Sequence, residues 1–289
     1  MAENSKIEWT DHTFNPWVGC TKISPGCDHC YAEGWAKRSG MVTWGAQRRR
    51  TSASNWSQPL KWDRRAAADS VRRRVFCASL ADVFDNEVPD QWRWDLWELI
   101  ASTRNLDWLL LTKRIGNVAR MLPVMDSSQP GYRPWNEQWP WPNVWLGATV
   151  VNQEEANRDI PKLVAIPAVV RFLSCEPLLG PIDLSRLIRW GNDYLVMVRW
   201  IIAGGESGAH ARPAHPDWLN SLRDQCTAAG VAFHFKQWGE WVPMLGHAQG
   251  VPVGRKYTHT DGTIMGRAGK KLSGRLLEGR TWDQFPRSA

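Results

Sequence analysis

Three cysteines near the start of the chain are the residues whose type and spacing most clearly indicate chemistry. Cys20, Cys27 and Cys30 fall within eleven consecutive positions in the stretch VGCTKISPGCDHCYAE. A structural zinc site is closed by four ligands, so a distant Cys77, Cys175 or histidine would have to complete it. An iron–sulfur cubane held by three thiolates instead leaves one iron free for a further ligand. The spacing therefore leaves two alternatives, an open iron–sulfur site and a closed structural site.

The elements that must position these cysteines follow a repeated strand and helix pattern. Most β-rich runs are almost continuously apolar, as in parallel strands covered on both faces. They occupy 74–84, 106–114, 143–151, 168–179, 198–207 and 231–239, after a first strand in TFNPWVGCT at 13–21. Helical segments lie between them, as at 89–103 and 215–230. This alternation predicts an α/β fold, a partial or full (β/α) barrel of mostly parallel strands, with an open Rossmann-like sheet as the alternative.

Polar residues follow each predicted strand where it ends. In (β/α) barrels the chemistry takes place at the carboxyl ends of the strands, so these side chains are candidates for one common site. They are Ser79, Asp82, Asp85, Thr112, Lys113, Arg114, Thr149, Asn152, Gln153, Ser174, Glu176, Gly204, Gly205, Glu206, Ser207, Lys236, Gln237 and Trp238. A first strand at 13–21 would place the three cysteines at that same end.

The distribution of charge bears on the partner. The chain carries a formal net charge of +7 and a sequence pI of about 9.3, and residues 37–74 hold eleven basic residues against two acidic ones. Trp44, Trp56 and Trp62 are interleaved with them, a mixture that can bind phosphates and stack bases. The segment predicts a nucleotide or nucleic acid partner. The alternative is a solvated basic face whose tryptophans belong to the core.

The compartment is predicted from what the sequence lacks. The polar opening MAENSKIEWTDHTFNPW has no apolar run of the kind found in signal peptides, and no run is long and apolar enough to cross a bilayer. We therefore expect a cytoplasmic protein without a membrane partner. Clustered cysteines in that reducing compartment more often hold metal or take part in chemistry than form disulfides.

The cysteine stretch, with Tyr31 beside its last cysteine, resembles the radical S-adenosylmethionine (SAM) enzymes when it is combined with the barrel pattern. The usual motif of that superfamily is C-x3-C-x2-C, whereas this chain has C-x6-C-x2-C, with Ser24, Pro25 and Gly26 in the longer first gap. The resemblance implies a 4Fe-4S cluster whose open iron binds SAM, and an electron donor. It further implies cleavage of SAM to a 5′-deoxyadenosyl radical that abstracts hydrogen from a substrate.

A longer set of segments resembles the phage Gp37/Gp68 family, which is described as radical-SAM-like. The similar segments run in order over nearly the whole chain: IEWTDHTFNPWVGCTKISPGCDHCYAE, SNWSQPLKW, VFCASLADVFDNEVP, LDWLLLTKR, NVWLGATVVNQ, RFLSCEPLLGPIDL, GGESG, RPAHPDWLNSLRDQC, FKQWGEW and GRLLEGRTWDQFP. The resemblance implies a protein of a phage or a bacterium, a radical SAM mechanism and, because many members have one, a three-Cys-motif partner protein.

The superfamily pattern also implies roles for individual residues. The three cysteines would bind the cluster. The segment ASLADVFD would contact the SAM amino group, with the Asp82 carboxylate as the first choice because it can accept hydrogen bonds from an ammonium. The full set of cofactor-binding candidates is Ser79, Asp82, Asp85, Lys113, Gly204, Gly205 and Glu206.

Three further residues are candidates for catalysis under the same resemblance. Cys175 would donate a hydrogen atom to a product radical, and Glu176 would bind ribose hydroxyls or act on the substrate. Lys236 would hold a carboxylate or phosphate. Core packing for the cysteine, and a structural carboxylate and ion pair for the other two, are the alternatives.

These observations lead to one interpretation and one alternative. We predict a barrel domain at 1–242 with a basic, tryptophan-bearing insertion at about 37–74, and a C-terminal extension at 243–289 packed on it. The predicted function is that of a radical SAM enzyme acting on a nucleotide or nucleic acid. The alternative is a non-catalytic nucleic-acid-binding protein with a structural zinc or iron–sulfur site.

Overall fold

The structure is a computed structural model, and it describes residues 3–123, 139–185, 197–245 and 250–286. The strands are β1 (His12–Phe14), β2 (Trp17–Val18), β3 (Arg49–Arg50), β4 (Arg73–Cys77), β5 (Leu106–Thr112), β6 (Val144–Thr149), β7 (Val170–Cys175), β8 (Trp200–Gly204), β9 (Ala232–Gln237), β10 (Trp241–Pro243), β11 (Lys256–Thr258) and β12 (Ile264–Arg267). The helices are α1 (Tyr31–Ser39), α2 (Ala53–Trp56), α3 (Gln58–Asp69), α4 (Asp90–Ser102), α5 (Ile115–Met121), α6 (Gln153–Ala165), α7 (Pro216–Ala229) and α8 (Lys270–Ser273), and a short 3-10 helix covers Pro25–Cys27. Within the described ranges, no helix combines the length and the apolar character that a membrane span requires.

Seven strands form the main sheet, in the order β1, β4, β5, β6, β7, β8 and β9, which is also their order along the chain. The pairings of β1 with β4, β4 with β5, β7 with β8, and β8 with β9 are all parallel. Among the described residues, helices lie in the connections from β1 to β4, β4 to β5, β5 to β6, β6 to β7, and β8 to β9. Helices packed on a parallel sheet bury its strands on both faces, which explains the apolar runs of the sequence. The strand order runs in one direction along the chain, without the reversal of a Rossmann-like sheet, and it leaves β1 and β9 at opposite ends. The predicted α/β fold class with a partial barrel of mostly parallel strands is confirmed.

The chain divides into two compact units. The first comprises Met1–Lys22, Ala32–Gly147 and Ala165–Arg171, and the second comprises Ile23–Tyr31, Ala148–Val164 and Phe172–Ala289.

Aromatic side chains fill the interior of the first unit. Trp108 of β5 is fully buried and meets the Phe14 ring edge-on at a centroid distance of 5.7 Å. Trp62 of α3 is 2% exposed and stacks on the His12 ring at 4.4 Å. Aromatic pairs of this kind add to the area that each ring buries. Trp62, one of the three tryptophans of the basic segment, therefore belongs to the core.

The predicted first strand, 13–21, is not one strand in the structure. β1 joins the parallel sheet beside β4, whereas β2 pairs antiparallel with β3, as in the register of Trp17 with Arg50. Asn15 and Pro16 separate the two strands. Proline has no backbone N–H to donate to a ladder, so the break falls where the sequence cannot continue the pairing.

The end of the chain packs within the second unit. The Phe235 N–H of β9 donates to the Trp282 carbonyl at 2.9 Å, and the Trp200 indole N–H donates to the Gln284 carbonyl at 2.9 Å. The Phe285 ring lies 5.2 Å from that of Trp200. Residues near the C-terminus thus pack against β8 and the edge strand β9.

Candidate functional site

Cys20 follows β2 after one residue, Gly19, and its backbone is fixed on two sides. The preceding Gly19 donates its N–H to the Leu80 carbonyl at 3.1 Å, and the Cys20 carbonyl accepts from the Gly45 N–H at 3.1 Å. Gly19 has a φ of +111°, and a Cβ at this position would lie 2.1 Å from the Gln47 carbonyl oxygen. Only glycine fits this approach, so the residue before the first cysteine of the motif is set by packing.

The Cys20 sulfur contacts a buried guanidinium. Arg114, just after β5, donates from Nη1 to Cys20 Sγ at 3.2 Å and from Nη2 to the Thr21 carbonyl at 2.8 Å. Burial raises the pKa of the Cys20 thiol to about 11, and the Asp82 carboxylate adds to this rise while Arg114 opposes it. Burial by itself would lower the pKa of Arg114, but the charges of Asp82, Cys20 and Asp85 raise it above its ordinary value. Arg114 is therefore a fixed positive charge beside this sulfur.

Asp82 holds the end of β5 in place. Its carboxylate accepts from the Thr112 hydroxyl at 2.8 Å, from the Phe84 N–H at 2.9 Å and from the Lys113 N–H at 3.1 Å. The Arg114 Nη1 lies 3.3 Å from its Oδ2. A carboxylate offers about four acceptor sites, and groups of the protein use them here. Contact between Asp82 and the SAM ammonium stays a prediction, and in that contact one of these bonds would be replaced.

Asp85 pairs with a second buried arginine. Arg48 approaches Asp85 Oδ2 with Nε at 2.7 Å and Nη2 at 2.6 Å, and its side chain is only 4% exposed. Arg48 Nη2 also donates to the Thr21 hydroxyl at 2.6 Å. Arg114 Nη2 lies 3.8 Å from Asp85. Two arginines and two aspartates thus form one buried charge network around Cys20 and Thr21.

Ser79 and Lys113 are the two other cofactor candidates of the first unit. Ser79 accepts a hydrogen bond from the Asn15 side-chain amide at 2.9 Å. Lys113 is half-buried and donates its backbone N–H to Asp82. Neither contact tests a role toward SAM, so both assignments stay predictions.

In the second unit, Cys27 and Cys30 lie on a tight turn. Ser24 caps the short 3-10 helix by accepting from the Gly26 N–H at 3.0 Å, and its hydroxyl donates to Glu155 at 2.6 Å. The Cys30 N–H donates to the Cys27 carbonyl at 3.3 Å. Cys27 is buried and Cys30 is half-buried. The second half of the longer first gap, Ser24 to Gly26, therefore forms a capped turn that leads into Cys27.

A clamp built on Arg212 and Glu206 fixes this turn. Arg212 bonds Glu206 through Nε at 2.8 Å and Nη2 at 2.6 Å, and it reaches Asp28 at 3.0 Å and the Pro25 carbonyl at 2.9 Å. His29 Nδ1 lies 3.2 Å from Glu206 Oε2. Burial would raise the pKa of Glu206, but the hydrogen bonds from Arg212 outweigh it and hold that pKa below its usual range. Glu206 supports the cysteine turn through these contacts, and its predicted role toward a cofactor stays a prediction.

The other predicted residues of the second unit cluster at the ends of β7, β8 and β9. Lys236 Nζ lies 3.4 Å from Glu176 Oε2. A Cβ on Gly204 would lie 2.7 Å from Glu176 Oε1, and one on Gly205 would lie 2.0 Å from the Trp238 carbonyl oxygen. Backbone packing thus requires glycine at position 205, whereas at position 204 the nearest atom belongs to a side chain and the nearest backbone atom, the Gln237 carbonyl oxygen, is 3.1 Å away. The role of the two glycines toward a cofactor, and those of Glu176 and Lys236 in catalysis, stay predictions.

Cysteines outside the motif are deeply buried. All six cysteines are free thiols, and Cys77, Cys175 and Cys226 lie in the interior. Burial raises the pKa of the Cys175 thiol far above its ordinary value. A hydrogen-atom donor does not need to ionise, so the predicted role of Cys175 is neither supported nor opposed by this environment.

Most charges of the basic segment 37–74 are paired. Seven of its eleven basic residues form ion pairs with carboxylates: Lys37 with Glu33, Arg48 with Asp85, Arg50 with Asp95, Arg65 with Glu3, Arg72 with Asp107, Arg73 with Asp69 and Arg74 with Asp11. Arg50 also lies over the Trp56 ring, 4.2 Å from its centroid. These contacts account for much of the segment's charge within the fold itself.

Sequence reasoning misses the arginines that organise the cysteines. In the sequence, Arg48 is only one member of a basic segment, Arg212 does not stand out, and Arg114 is visible only as one of the polar residues that follow a predicted strand. The signal that could find them is weak, because each acts on a residue far away in sequence. Their partners become visible only when the strand ends are placed beside one another.

Comparisons with known proteins give a family and a set of remote structural likenesses. No curated protein matches the chain. Among solved structures, the chain is similar to a spore photoproduct lyase complexed with dinucleoside spore photoproduct, with 10% identity, a TM-score of 0.46 and coverage of 94% of this chain and 72% of that one. It is also similar to a mutant spore photoproduct lyase with bound AdoMet and the same dinucleoside, with 11% identity, a TM-score of 0.44 and coverage of 90% and 68%.

The family model that matches is described as a protein of unknown function, DUF5131, and it covers residues 4–286. This description differs from the phage Gp37/Gp68 name, so that identification stays a prediction. Because the match extends over almost the whole chain, the protein belongs to the DUF5131 family.

Proposed function

We propose that this protein is a radical SAM enzyme in which Cys20, Cys27 and Cys30 bind a 4Fe-4S cluster. The observation that carries the proposal is the set of three free thiols within eleven positions, on a chain whose fold is a parallel α/β partial barrel. Thiolates are the ligands of such clusters. That the three bind one cluster rests on their spacing in the sequence.

Of the groups around Cys20, Arg114 favours the thiolate form, whereas burial and the Asp82 carboxylate disfavour it. A cluster ligand must be a thiolate, and the Arg114 guanidinium 3.2 Å from Cys20 Sγ stabilises negative charge on that sulfur. The Arg212 and Glu206 clamp fixes the turn that carries the other two cysteines. When bound, the cluster would supply the electron that cleaves SAM and starts hydrogen abstraction. Asp82, Asp85, Ser79, Lys113, Gly204, Gly205 and Glu206 are the proposed contacts of SAM.

For the substrate we propose a nucleotide or nucleic acid. The support is the net charge of +7 together with four exposed basic residues of the 37–74 segment for which the described residues provide no carboxylate partner. These four are Arg38, Arg49, Lys61 and Arg64. Exposed, uncompensated cations are the groups that bind phosphates. The proposed catalytic residues are Glu176, Lys236 and Cys175. The proposed protein partners are an electron donor and a three-Cys-motif partner protein, and the proposed location is the cytoplasm.

The test is anaerobic reconstitution with iron and sulfide, followed by metal analysis and electron paramagnetic resonance (EPR) of the reduced protein with and without SAM. The variants are the triple Cys20→Ala, Cys27→Ala, Cys30→Ala protein and a Cys226→Ala control, whose thiol is buried elsewhere in the second unit. We expect a cubane signal that shifts with SAM in the wild type and the control and is absent from the triple variant. Stoichiometric zinc, or a cluster that does not respond to SAM, would instead favour a non-catalytic protein with a structural metal site.

A further inference from the structure

The guanidinium of Arg114 contacts both a proposed cluster ligand, Cys20, and two buried carboxylates, Asp82 and Asp85. Nη1 lies 3.2 Å from Cys20 Sγ and 3.3 Å from Asp82 Oδ2, while Nη2 lies 2.8 Å from the Thr21 carbonyl and 3.8 Å from Asp85 Oδ2. The stretch that holds the three cysteines, residues 18–33, contains no arginine, and Arg114 lies 94 positions after Cys20. The contact is therefore a feature of this chain's fold.

The network holds Arg114 rigidly. Its side chain is 8% exposed, as is that of Asp82, and Asp85 and Arg48 are at least as buried. Buried charges persist only when they are paired and hydrogen-bonded. The two arginines balance the two aspartates, so the guanidinium is oriented before any cluster binds. A planar guanidinium presents its N–H groups in fixed directions, and here one of those groups points at the Cys20 sulfur.

We propose that Arg114 is a positioning residue that raises the reduction potential of the cluster by donating an N–H···S hydrogen bond to Cys20. The inference rests on the proposed function. Reduction adds one negative charge to a cluster, and hydrogen bonds and positive charge at its thiolates stabilise the reduced form more than the oxidised form. An enzyme whose cluster must be reduced before it can act would gain directly from such a contact.

The test is an EPR-monitored redox titration of reconstituted wild type, Arg114→Gln, Arg114→Lys and Arg48→Gln. Arg48→Gln is the matched control, since it removes a positive charge from the same network but has no contact with the sulfur. For Arg114→Gln we expect the equilibrium for reduction to become less favourable by about tenfold, which is about 59 mV for one electron. Arg114→Lys should fall between it and the wild type, because one ammonium cannot reach the sulfur, Thr21 and Asp82 together.

The outcomes separate this inference from the proposed function. If the wild type forms a SAM-responsive cluster but Arg114→Gln shifts its potential no more than Arg48→Gln does, the inference alone is overturned. If Arg114→Gln does not fold, a wild-type potential in Arg114→Lys overturns it in the same way. If the wild type forms no cluster that depends on Cys20, the proposed function fails and the inference fails with it.

Discussion

Gly19, the residue before the first motif cysteine, should not tolerate even one methyl group. Its φ of +111° is a conformation that side-chain-bearing residues rarely adopt, and a Cβ would lie 2.1 Å from the Gln47 carbonyl oxygen. Real Cβ contacts stay beyond 3.0 Å, so the two backbone segments would have to separate by roughly 1 Å. That movement would disturb the hydrogen bond from the Gly45 N–H to the Cys20 carbonyl and displace Cys20.

The size of the effect follows from two contributions. Backbone strain at such a φ costs about 1–3 kcal/mol, and overpacking costs about 1–3 kcal/mol more. We therefore expect Gly19→Ala to lower the free energy of unfolding by about 2–6 kcal/mol. Gly45→Ala separates the two contributions, because Gly45 has a φ of +89° but no atom within 4 Å of the position that its new methyl group would take. This variant should show only the cost of backbone strain.

Urea unfolding followed by tryptophan fluorescence measures both variants against the wild type, with the midpoint compared at unchanged slope. Gly116→Ala is the control for the methyl group itself, because Gly116 of α5 has an ordinary φ and no atom lies within 4 Å of its added Cβ. This variant should be neutral or more stable by up to about 1 kcal/mol. A Gly19→Ala variant that is no more destabilised than Gly45→Ala would refute the predicted clash with Gln47.

Three further predictions concern the clamp, the glycine pair and the basic surface. The pKa of Glu206 is lower in the folded state than the unfolded-state value of about 4.5. Its pairing with Arg212 therefore stabilises the protein above pH 4.5, and this stabilisation is lost as the pH falls through the folded-state pKa. Glu206→Gln should flatten the plot of unfolding free energy against pH in that range, and an unchanged plot would contradict the pairing of Glu206 with Arg212. Gly204→Ala should lower the free energy of unfolding by about 1–3 kcal/mol through its clash with Glu176, and adding Glu176→Ala should recover part of the loss, whereas additive losses would argue against the clash. Replacing four exposed basic residues with glutamine should weaken DNA binding. The slope of log K against log salt concentration should become shallower by about 0.9 for each phosphate that is no longer bound. An unchanged slope would exclude this surface as the DNA-binding site. The four are Arg38, Arg49, Lys61 and Arg64.

The fold is largely predictable because its signals are local. Each apolar run of the sequence contains a strand of the parallel sheet, and the helix predicted at 215–230 is observed at Pro216–Ala229, where Pro216 starts it and Gly230 ends it in a left-handed conformation. Proline at the first helical turn and glycine just past the last turn are favoured for steric reasons that act within a few residues. The broken first strand is the exception, although Pro16 marks the break.

The candidate site is predictable only in part, because its supports are non-local. The cysteines can be found by spacing, since their neighbours in sequence carry the signal. The hydrogen bond from Arg114 to Cys20 spans 94 residues and the one from Arg212 to Asp28 spans 184. No short pattern reports such pairs. The count of charges in the sequence also overstates the unpaired positive charge of the segment 37–74. The carboxylates that pair with most of its arginines become their neighbours only in the folded chain.

The most direct measurement of the central claim is the formation of 5′-deoxyadenosine from SAM by the anaerobically reconstituted, dithionite-reduced protein, quantified by chromatography. We predict that the wild type and Cys226→Ala form this product and that Cys20→Ala, Cys27→Ala and Cys30→Ala each abolish it. Product formation that persists without any one of these cysteines would contradict the account. So would a wild type that carries a fully reduced cluster, binds SAM and leaves it intact with or without added nucleotide.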